Sequence, residues 1–441
     1  MKKLLLMGLI LTVFYTTSKG QDTLLLNLEE AVEIGLQKNQ AYRIKINEQE
    51  LIKTEKQAAL FAYFPRVNIN NSLSRQSGQQ FQQVEGEIIV TSVNNNVMSS
   101  GLSAGLPIYN GGRLSNNYKA ARLMEEAGQQ DLNREAQEVV FQVAQQYLQV
   151  LLDEELHELA LQNLENQKEQ LRQIEGFVEV GLNTLSDQYN QQSEVARLET
   201  VALNAKIQLE TDLWAMAELL QLEPNVFPKL EPVNISAPQE SEFLGLDLEP
   251  LYEMSFQNRT DYKAQQLRED GAKRMAVASR AGLFPQVGAF LNYNTFYTSL
   301  DTRTFSDQFL NIYPQMTMGF NVSIPIFNNF NNKLEVARSR MNWKNRQLET
   351  DALERSLNQE TKMANENFKA AIRRQQSTQI QLNAAAEAQL AIQEKFKLGL
   401  SNFVDLAQAN QQLATAQSDH AQATYTLYFQ EILMKYTLGI L

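Results

Sequence analysis

Between residues 316 and 324 the chain alternates without exception. Met316, Met318, Phe320, Val322 and Ile324 fall on one side, and Thr317, Gly319, Asn321 and Ser323 on the other. That period of two is the signature of a β-strand with two unlike faces. Residues 102–106 and 67–70 alternate over shorter spans, and the run from Val287 to Tyr297 does so more loosely. Elsewhere the period lengthens: Val139, Val140, Val143, Tyr147, Val150, Leu151 and Glu154 follow three- and four-residue spacing, as do Leu390, Ile392, Phe396 and Leu398. These are helical stripes.

The spacing predicts strands over 66–76, 97–107, 286–297 and 314–325, and helices over 112–177, 185–222, 330–397 and 402–438. The helical stretches are rich in Ala, Gln, Glu, Leu and Lys, which favour helix. The first of each pair, roughly 65 residues at about 1.5 Å rise, is on the order of 100 Å long. A helix of that length belongs to an antiparallel coiled coil rather than to a globular core.

The pattern occurs twice. "LNLEEAVEIGLQKNQAYRIKI" from Leu26 is echoed by "LDLEPLYEMSFQNRTDYKAQQ" from Leu246, and "FPRV" at Phe64 by "FPQV" at Phe284, both at an offset of 220. The offset becomes 218 for "LPIYNGG" at Leu106 against "IPIFNNF" at Ile324 and for "VGLNTLSD" at Val180 against "LGLSNFVD" at Leu398. One unit has been duplicated, with 21–223 and 246–441 as the two repeats and a proline-rich linker, 224–245, between them. The change of offset falls between the proline landmarks, where length changes mark an exposed loop. Pro65, Pro107, Pro285 and Pro325 stand where the period changes and are read as strand–helix junctions.

No cysteine is present among 441 residues, so disulfides and thiolate metal sites are excluded. His157 and His420 lie far apart in helical stretches and read as surface or packing residues. Residues 1–20 carry two lysines, an apolar core and a small polar end, the form of a secretory signal peptide. Without Lys2, Lys3 and Lys19, 36 basic residues face 51 acidic ones, a net charge of −15. Such a surface disfavours nucleic acid. Past residue 20 no apolar run approaches the roughly 20 residues of a membrane helix.

The alternating runs have two readings: half-buried strands of a soluble sheet, or strands that face lipid. Small and amide residues on the polar side, aromatics near the ends (Phe64, Tyr109, Phe284, Tyr293, Phe296, Tyr297 and Phe327) and a length near that of a tilted membrane strand favour lipid. Four strands cannot close a barrel, and open edges do not persist in hydrocarbon. Copies of the chain must therefore combine: two would give a filled eight-stranded barrel, three a twelve-stranded barrel with room for a channel. A secreted coiled-coil scaffold would account for the helices and acidity but not for four alternating runs in duplicate positions. No nucleophile–histidine arrangement, phosphate loop or metal-ligand cluster points to an enzyme.

The paired "FPRV"/"FPQV", "LPIYNGG"/"IPIFNNF" and "VGLNTLSD"/"LGLSNFVD", with the terminal "YTLGIL", resemble the TolC family of outer-membrane efflux ducts from about Leu26 to Leu441. The resemblance implies a mainly α fold with transmembrane β-structure, long antiparallel helical coiled coils plus four strands per protomer. A homotrimer then forms a 12-stranded barrel in the outer membrane of a Gram-negative bacterium and an α-helical tunnel in the periplasm. It implies a periplasmic adaptor and an inner-membrane pump of RND, ABC or MFS type as partners, outer-membrane lipid around the barrel, no cofactor, and passive export of small molecules. Protein export in a type I secretion system is the alternative.

The helix turns carry the site that the resemblance implies. Gly181 and Gly399 each break a long helix, and Asp187 and Asp405 each follow six residues later. By themselves these residues read as a helix end and a favourable first turn. In the family the turns form the constricted periplasmic end, with an aspartate of the second turn facing the axis. By resemblance, Asp405 forms a negative ring in the trimer, with Phe396 as the aromatic of the constriction and Asp187 and Ser186 contributed by the first turn. Ser401 stands where relatives have arginine and Gln408 where some have a second aspartate, so the family's polar lock is partly missing. Val180, Gly181, Leu182, Leu398, Gly399 and Leu400 are the corresponding adaptor-binding residues, or else ordinary helix-end packing.

Overall fold

A computed structural model describes residues 22–84, 86–224, 226–233, 243 and 245–441; the expected signal peptide lies outside them. Two units divide the chain, and the two longest helices contribute segments to both.

The first unit gathers residues 1–43, 135–258 and 360–441. Strand β1 (Asp22–Leu26) pairs in parallel with β4 (Val226–Leu230), Leu24 facing Pro228. Sequence periodicity misses this pair, and β4 occupies what reads as a linker. Pro228 is tolerated because β4 has one strand neighbour, so its missing N–H interrupts no second ladder. The unit also holds α1 (Leu28–Lys38), the C-terminal part of α3 (Arg113–Glu179), α4 (Leu185–Leu219), α5 (Leu248–Asn258), the C-terminal part of α7 (Asn331–Lys397), and α8 (Phe403–Leu438). The stripe Val139, Val143, Tyr147, Val150 and Leu151 is buried against Leu26, Ala31, Met216, Leu220 and Leu230. Gly35 permits the close approach of α1 to α3: a Cβ there would stand 2.8 Å from Val143 Cγ2.

Tyr147 closes this core. It is fully buried, and its hydroxyl lies 2.7 Å from Glu231 O and 3.1 Å from Leu26 O, tying both strand ends to α3. Further along α3, the buried Asp153 accepts from Gln149 Nε2 at 3.1 Å. Asp212 of α4 accepts from Gln208 Nε2 at 2.7 Å and Gln146 Nε2 at 3.2 Å. Burial and the Asp212 carboxylate push Asp153 up to about 7, and the same pairing lowers Asp212.

The second unit gathers residues 44–134 and 259–359. Its four-stranded antiparallel sheet has the order β2 (Arg66–Val84), β3 (Glu87–Tyr109), β5 (Gln286–Thr298) and β6 (Gln315–Ser323). Register sorts the side chains into two faces. Val67 faces Ala104, Leu102 faces Tyr293, and Leu291 faces Met318, so one face is an apolar band across all four strands. The other face carries Asn68 and Asn70, Ser103 and Gly101, Asn292 and Asn294, and Thr317 and Asn321. On β2 its apolar positions lie between Val67 and Leu73, and on β6 between Met316 and Val322. No helix among the described residues is long and apolar enough to cross a membrane.

Three expectations are corrected here. The first hairpin runs well beyond 66–76 and 97–107 without the expected exposed loop, because β2 and β3 continue pairing to Val84 and Glu87. Water on both sides of this extension removes any need for alternation. In the second hairpin the connection does leave the ladder, through a π-helical turn, Asp307–Ile312. There Gln308 Nε2 donates to the carbonyls of Asp301 and Arg303 while its Oε1 accepts from the Thr298 N–H. Pro107 lies inside β3 rather than at its end. β2 reaches only to Gly105, so Pro107 has a single neighbour, β5, and a register shift follows it. Pro65 and Pro285 directly precede β2 and β5, and Pro325 lies between β6 and α7.

In the same unit contacts run from α2 (Gln40–Phe61) to α3 through Lys56–Glu125. They continue from α3 to α6 (Thr260–Ser279) through Asp131–Arg268, and from α6 to α7 through Gln265–Glu349. As in the sheet, the members form a strip of four.

Tyr147→Phe removes the hydroxyl bonded to both carbonyls, while Leu26 O keeps the Glu231 N–H at 2.9 Å, and is expected to cost about 0.5–1.5 kcal/mol, read as a lowered melting temperature. Folded Asp153 holds its proton up to about 7 while an unfolded aspartate loses it near 4. Raising the pH through that window therefore lowers stability. Asp153→Asn is expected to flatten the fall in melting temperature between those two pH values.

Candidate functional site: the helix-hairpin tips

Both long hairpins turn by the same device. At the first, the Leu182 N–H donates to Phe177 O (2.8 Å) and the Gly181 N–H to Val178 O (3.1 Å). At the second, the Leu400 N–H donates to Lys395 O (2.8 Å) and the Gly399 N–H to Phe396 O (3.0 Å). These are Schellman caps. They require left-handed backbone at Gly181 (φ 78°) and Gly399 (φ 72°). Nothing lies within 4 Å of a Cβ built at either glycine, so backbone conformation, not space, selects the residue.

Three residues on, Thr184 and Asn402 cap the next helices, and here the turns part. Asp187 completes a capping box: its carboxylate accepts from the Thr184 N–H (3.1 Å) and Oγ1 (2.8 Å), and its N–H donates back to Thr184 Oγ1. The Asp405 N–H donates to Asn402 Oδ1 (2.9 Å), but its carboxylate accepts from the hydroxyl of Ser401 (3.1 Å). Asp187 is thus committed to starting α4. Asp405 is exposed and held by one neutral donor.

Val180 and Leu182 flank Gly181, and Leu398 and Leu400 flank Gly399; all four are 69–74% exposed. Both tips thus leave apolar side chains to solvent. Ser186 on the first turn of α4 and Gln408 on the second turn of α8 are also exposed. Phe396 is half-buried and lines a groove of about 780 Å³ with Leu406. Asp405 is not among the residues lining that groove. An amide chain crosses it: Gln389 Nε2 donates to Asn410 Oδ1 (2.9 Å), and Asn410 Nδ2 donates to Gln170 Oε1 (3.0 Å). It links α7, α8 and α3. Sequence reading misses these three residues because amides recur along every helix and nothing in their spacing separates this set. Among the described residues no group of three or more His, Cys, Asp or Glu is placed to hold a metal.

A sheet with one lipid-compatible face, carried with long antiparallel helical hairpins, defines an outer-membrane channel protein. The outer membrane efflux protein family model matches residues 47–220 and 251–439; the chain belongs to that family, and its place is the outer membrane. It is 21% identical over 307 residues to outer membrane protein TolC of Vibrio cholerae, covering 69% of this chain and 68% of that one. Its fold is that of the outer-membrane channel OprN (TM-score 0.80, 20% identity, 93% and 89% of the two chains covered). The CmeC channel of Campylobacter jejuni is similarly close (TM-score 0.80, 14% identity, 93% and 85%).

Gly181→Ala and Gly399→Ala each force a Cβ into left-handed backbone and are expected to cost about 1–2 kcal/mol locally. Asp187→Ala removes the capping box at about 0.5–2 kcal/mol. All three are expected to raise amide exchange within the altered turn while leaving α3 near Tyr147 unchanged.

Proposed function

We propose that three copies form the outer-membrane duct of a tripartite efflux system, passing small molecules from a periplasmic adaptor and an inner-membrane pump. The observation that carries this reading is that every layer of the chain is a strip with two unfinished edges. The sheet ends at β2 and β6. In the second unit the helical strip ends at α2 and α7, which display Ile44 and Leu51, and Leu334, Met341 and Leu348. Each set is spaced by seven residues, the repeat of a coiled-coil seam. In the first unit contacts run α4 to α3 (Asp212–Gln146), α3 to α8 (Gln170–Asn410) and α8 to α7 (Asn410–Gln389). The outer members of that strip, α4 and α7, display Leu203, Ile207 and Trp214, and Met363, Ile380 and Leu390. Three copies joined edge to edge give twelve strands, enough for an open lumen.

In this duct Asp405 stands three times around the axis at the periplasmic end, where the summed negative charge of the three carboxylates attracts cations and their mutual repulsion resists closure. Ser401, in place of an arginine, offers no counter-charge, so the closed state is held more weakly than in relatives with the full polar lock. Phe396 contributes to the constriction through the α7–α8 hairpin. Ser186, Asp187 and Gln408 line its approach. Val180, Gly181, Leu182, Leu398, Gly399 and Leu400 receive the adaptor's helical hairpin, whose apolar tip would cover these exposed side chains.

Single-channel recording tests the gate. Asp405→Ala is expected to reduce cation preference and change conductance. Unaltered conductance and selectivity in Asp405→Ala would remove that residue from the gate. Photocrosslinkers at Leu182 and Leu400 are expected to capture an adaptor; their failure to do so in an exporting cell would count against the docking surface.

A further inference from the structure

The two hairpins of the membrane sheet repeat one another down to the pairing. In the first, Arg66 faces Gly105 and Val67 faces Ala104; in the second, Gln286 faces Ser323 and Val287 faces Val322. Each β5 residue is thus 220 positions beyond its β2 counterpart, as Val287 is beyond Val67, and each β6 residue 218 beyond its β3 counterpart, as Val322 is beyond Ala104. The preceding helices keep the first offset: α1 is Leu28–Lys38 and α5 is Leu248–Asn258. The turns after β3 and β6 keep the second. Gly111 and Gly112 have φ of 65° and 79°, and their counterparts Asn329 and Phe330 have 55° and 63°. A phenylalanine is strained there, so backbone geometry has been retained where the residues have not.

Within one chain the first repeat meets the second along β3 and β5, where Leu106 faces Ala289, Leu102 faces Tyr293 and Ser100 faces Thr295. The matching seam, from the second repeat to the first, is missing, because β6 and β2 are the open edges. A closed ring of equivalent hairpins needs that seam in the same register, obtained by carrying β3 onto β6 and β5 onto β2. We infer that, in the trimer proposed above and resting on it, Ile324 of one copy faces Ile69 of the next, Phe320 faces Leu73, and Met318 faces Arg75.

Two observations support this register. It sets the side of β6 that carries Ile324 and Phe320 beside the side of β2 that carries Ile69 and Leu73, whereas a slip of one residue would turn the lipid band of one copy against the polar face of its neighbour. The strand–helix junction is compatible with the same register. Within the chain Gly111 sits on the other repeat: a Cβ there would lie 2.9 Å from Ala281 Cα and 3.1 Å from Phe284 Cβ. Carried across the seam, Asn329 of one copy comes beside Phe61 and Phe64 of the next, at a wider spacing because Asn329 bears the Cβ that Gly111 lacks. Those two rings touch, with centroids 5.5 Å apart, and both are exposed in the single chain. The inferred register covers this aromatic pair.

The absence of cysteine makes disulfide trapping in the full-length, detergent-extracted assembly a clean test. Phe320→Cys with Leu73→Cys is expected to give reducible dimer and trimer bands at least about tenfold faster than Phe320→Cys with Asn71→Cys or Arg75→Cys, since a bridge needs Cβ atoms about 4 Å apart. Met318→Cys with Arg75→Cys is a second aligned pair should the first fold poorly. Trimers that trap preferentially through an offset pair, or through neither aligned pair, would overturn the register while leaving the trimer standing. Absence of any trimer would overturn both.

Discussion

A peptide group in hydrocarbon has no water to bond, and this constraint organises the molecule. β2 and β6 each present an open row of N–H and C=O groups beside side chains that suit only lipid. No rearrangement within one chain removes both edges, because a four-stranded sheet is far short of the eight at which barrels close. The helical strips repeat the condition in milder form. Their outer members carry Ile44 and Leu51 or Leu334, Met341 and Leu348 toward solvent, where burial against a neighbour would remove apolar area from water. Sheet and helices therefore need the same remedy, another copy on each side.

Much of this was legible in the sequence because the membrane and the coiled coil both impose strict periods. Residues 316–324 can sit at a lipid boundary only by alternating, and the long proline-free stretches can only be helix. Legibility failed where neither period was imposed. The upper part of the first hairpin, with Gln76, Gln79, Gln80 and Gln83, has water on both faces and needs no alternation, although its ladder is complete to Val84. β1 and β4 escaped because a five-residue parallel pair containing Pro228 has no strand-like pattern. Tyr147 was placed on a buried stripe, but its role in joining two strand ends depends on carbonyls 121 and 84 residues away.

The tips show how two duplicated turns diverge. Both keep the glycine, the Schellman cap and the aspartate at the same spacing. The cap residue then differs: Thr184 and Asp187 bond reciprocally, whereas Asn402 leaves the Asp405 carboxylate to Ser401. The first turn has become a fixed helix start, and the second keeps an exposed charge on a loosely held side chain. The spacing of Gly and Asp announced both turns; the difference between them lies in one hydroxyl against one amide and required geometry to see.

The most direct test of the central claim is the native mass of the full-length assembly extracted from outer membranes in mild detergent. A particle of three chains is required if the open edges of one copy are closed by the next. A monodisperse single chain that leaves lipid vesicles sealed would contradict the account.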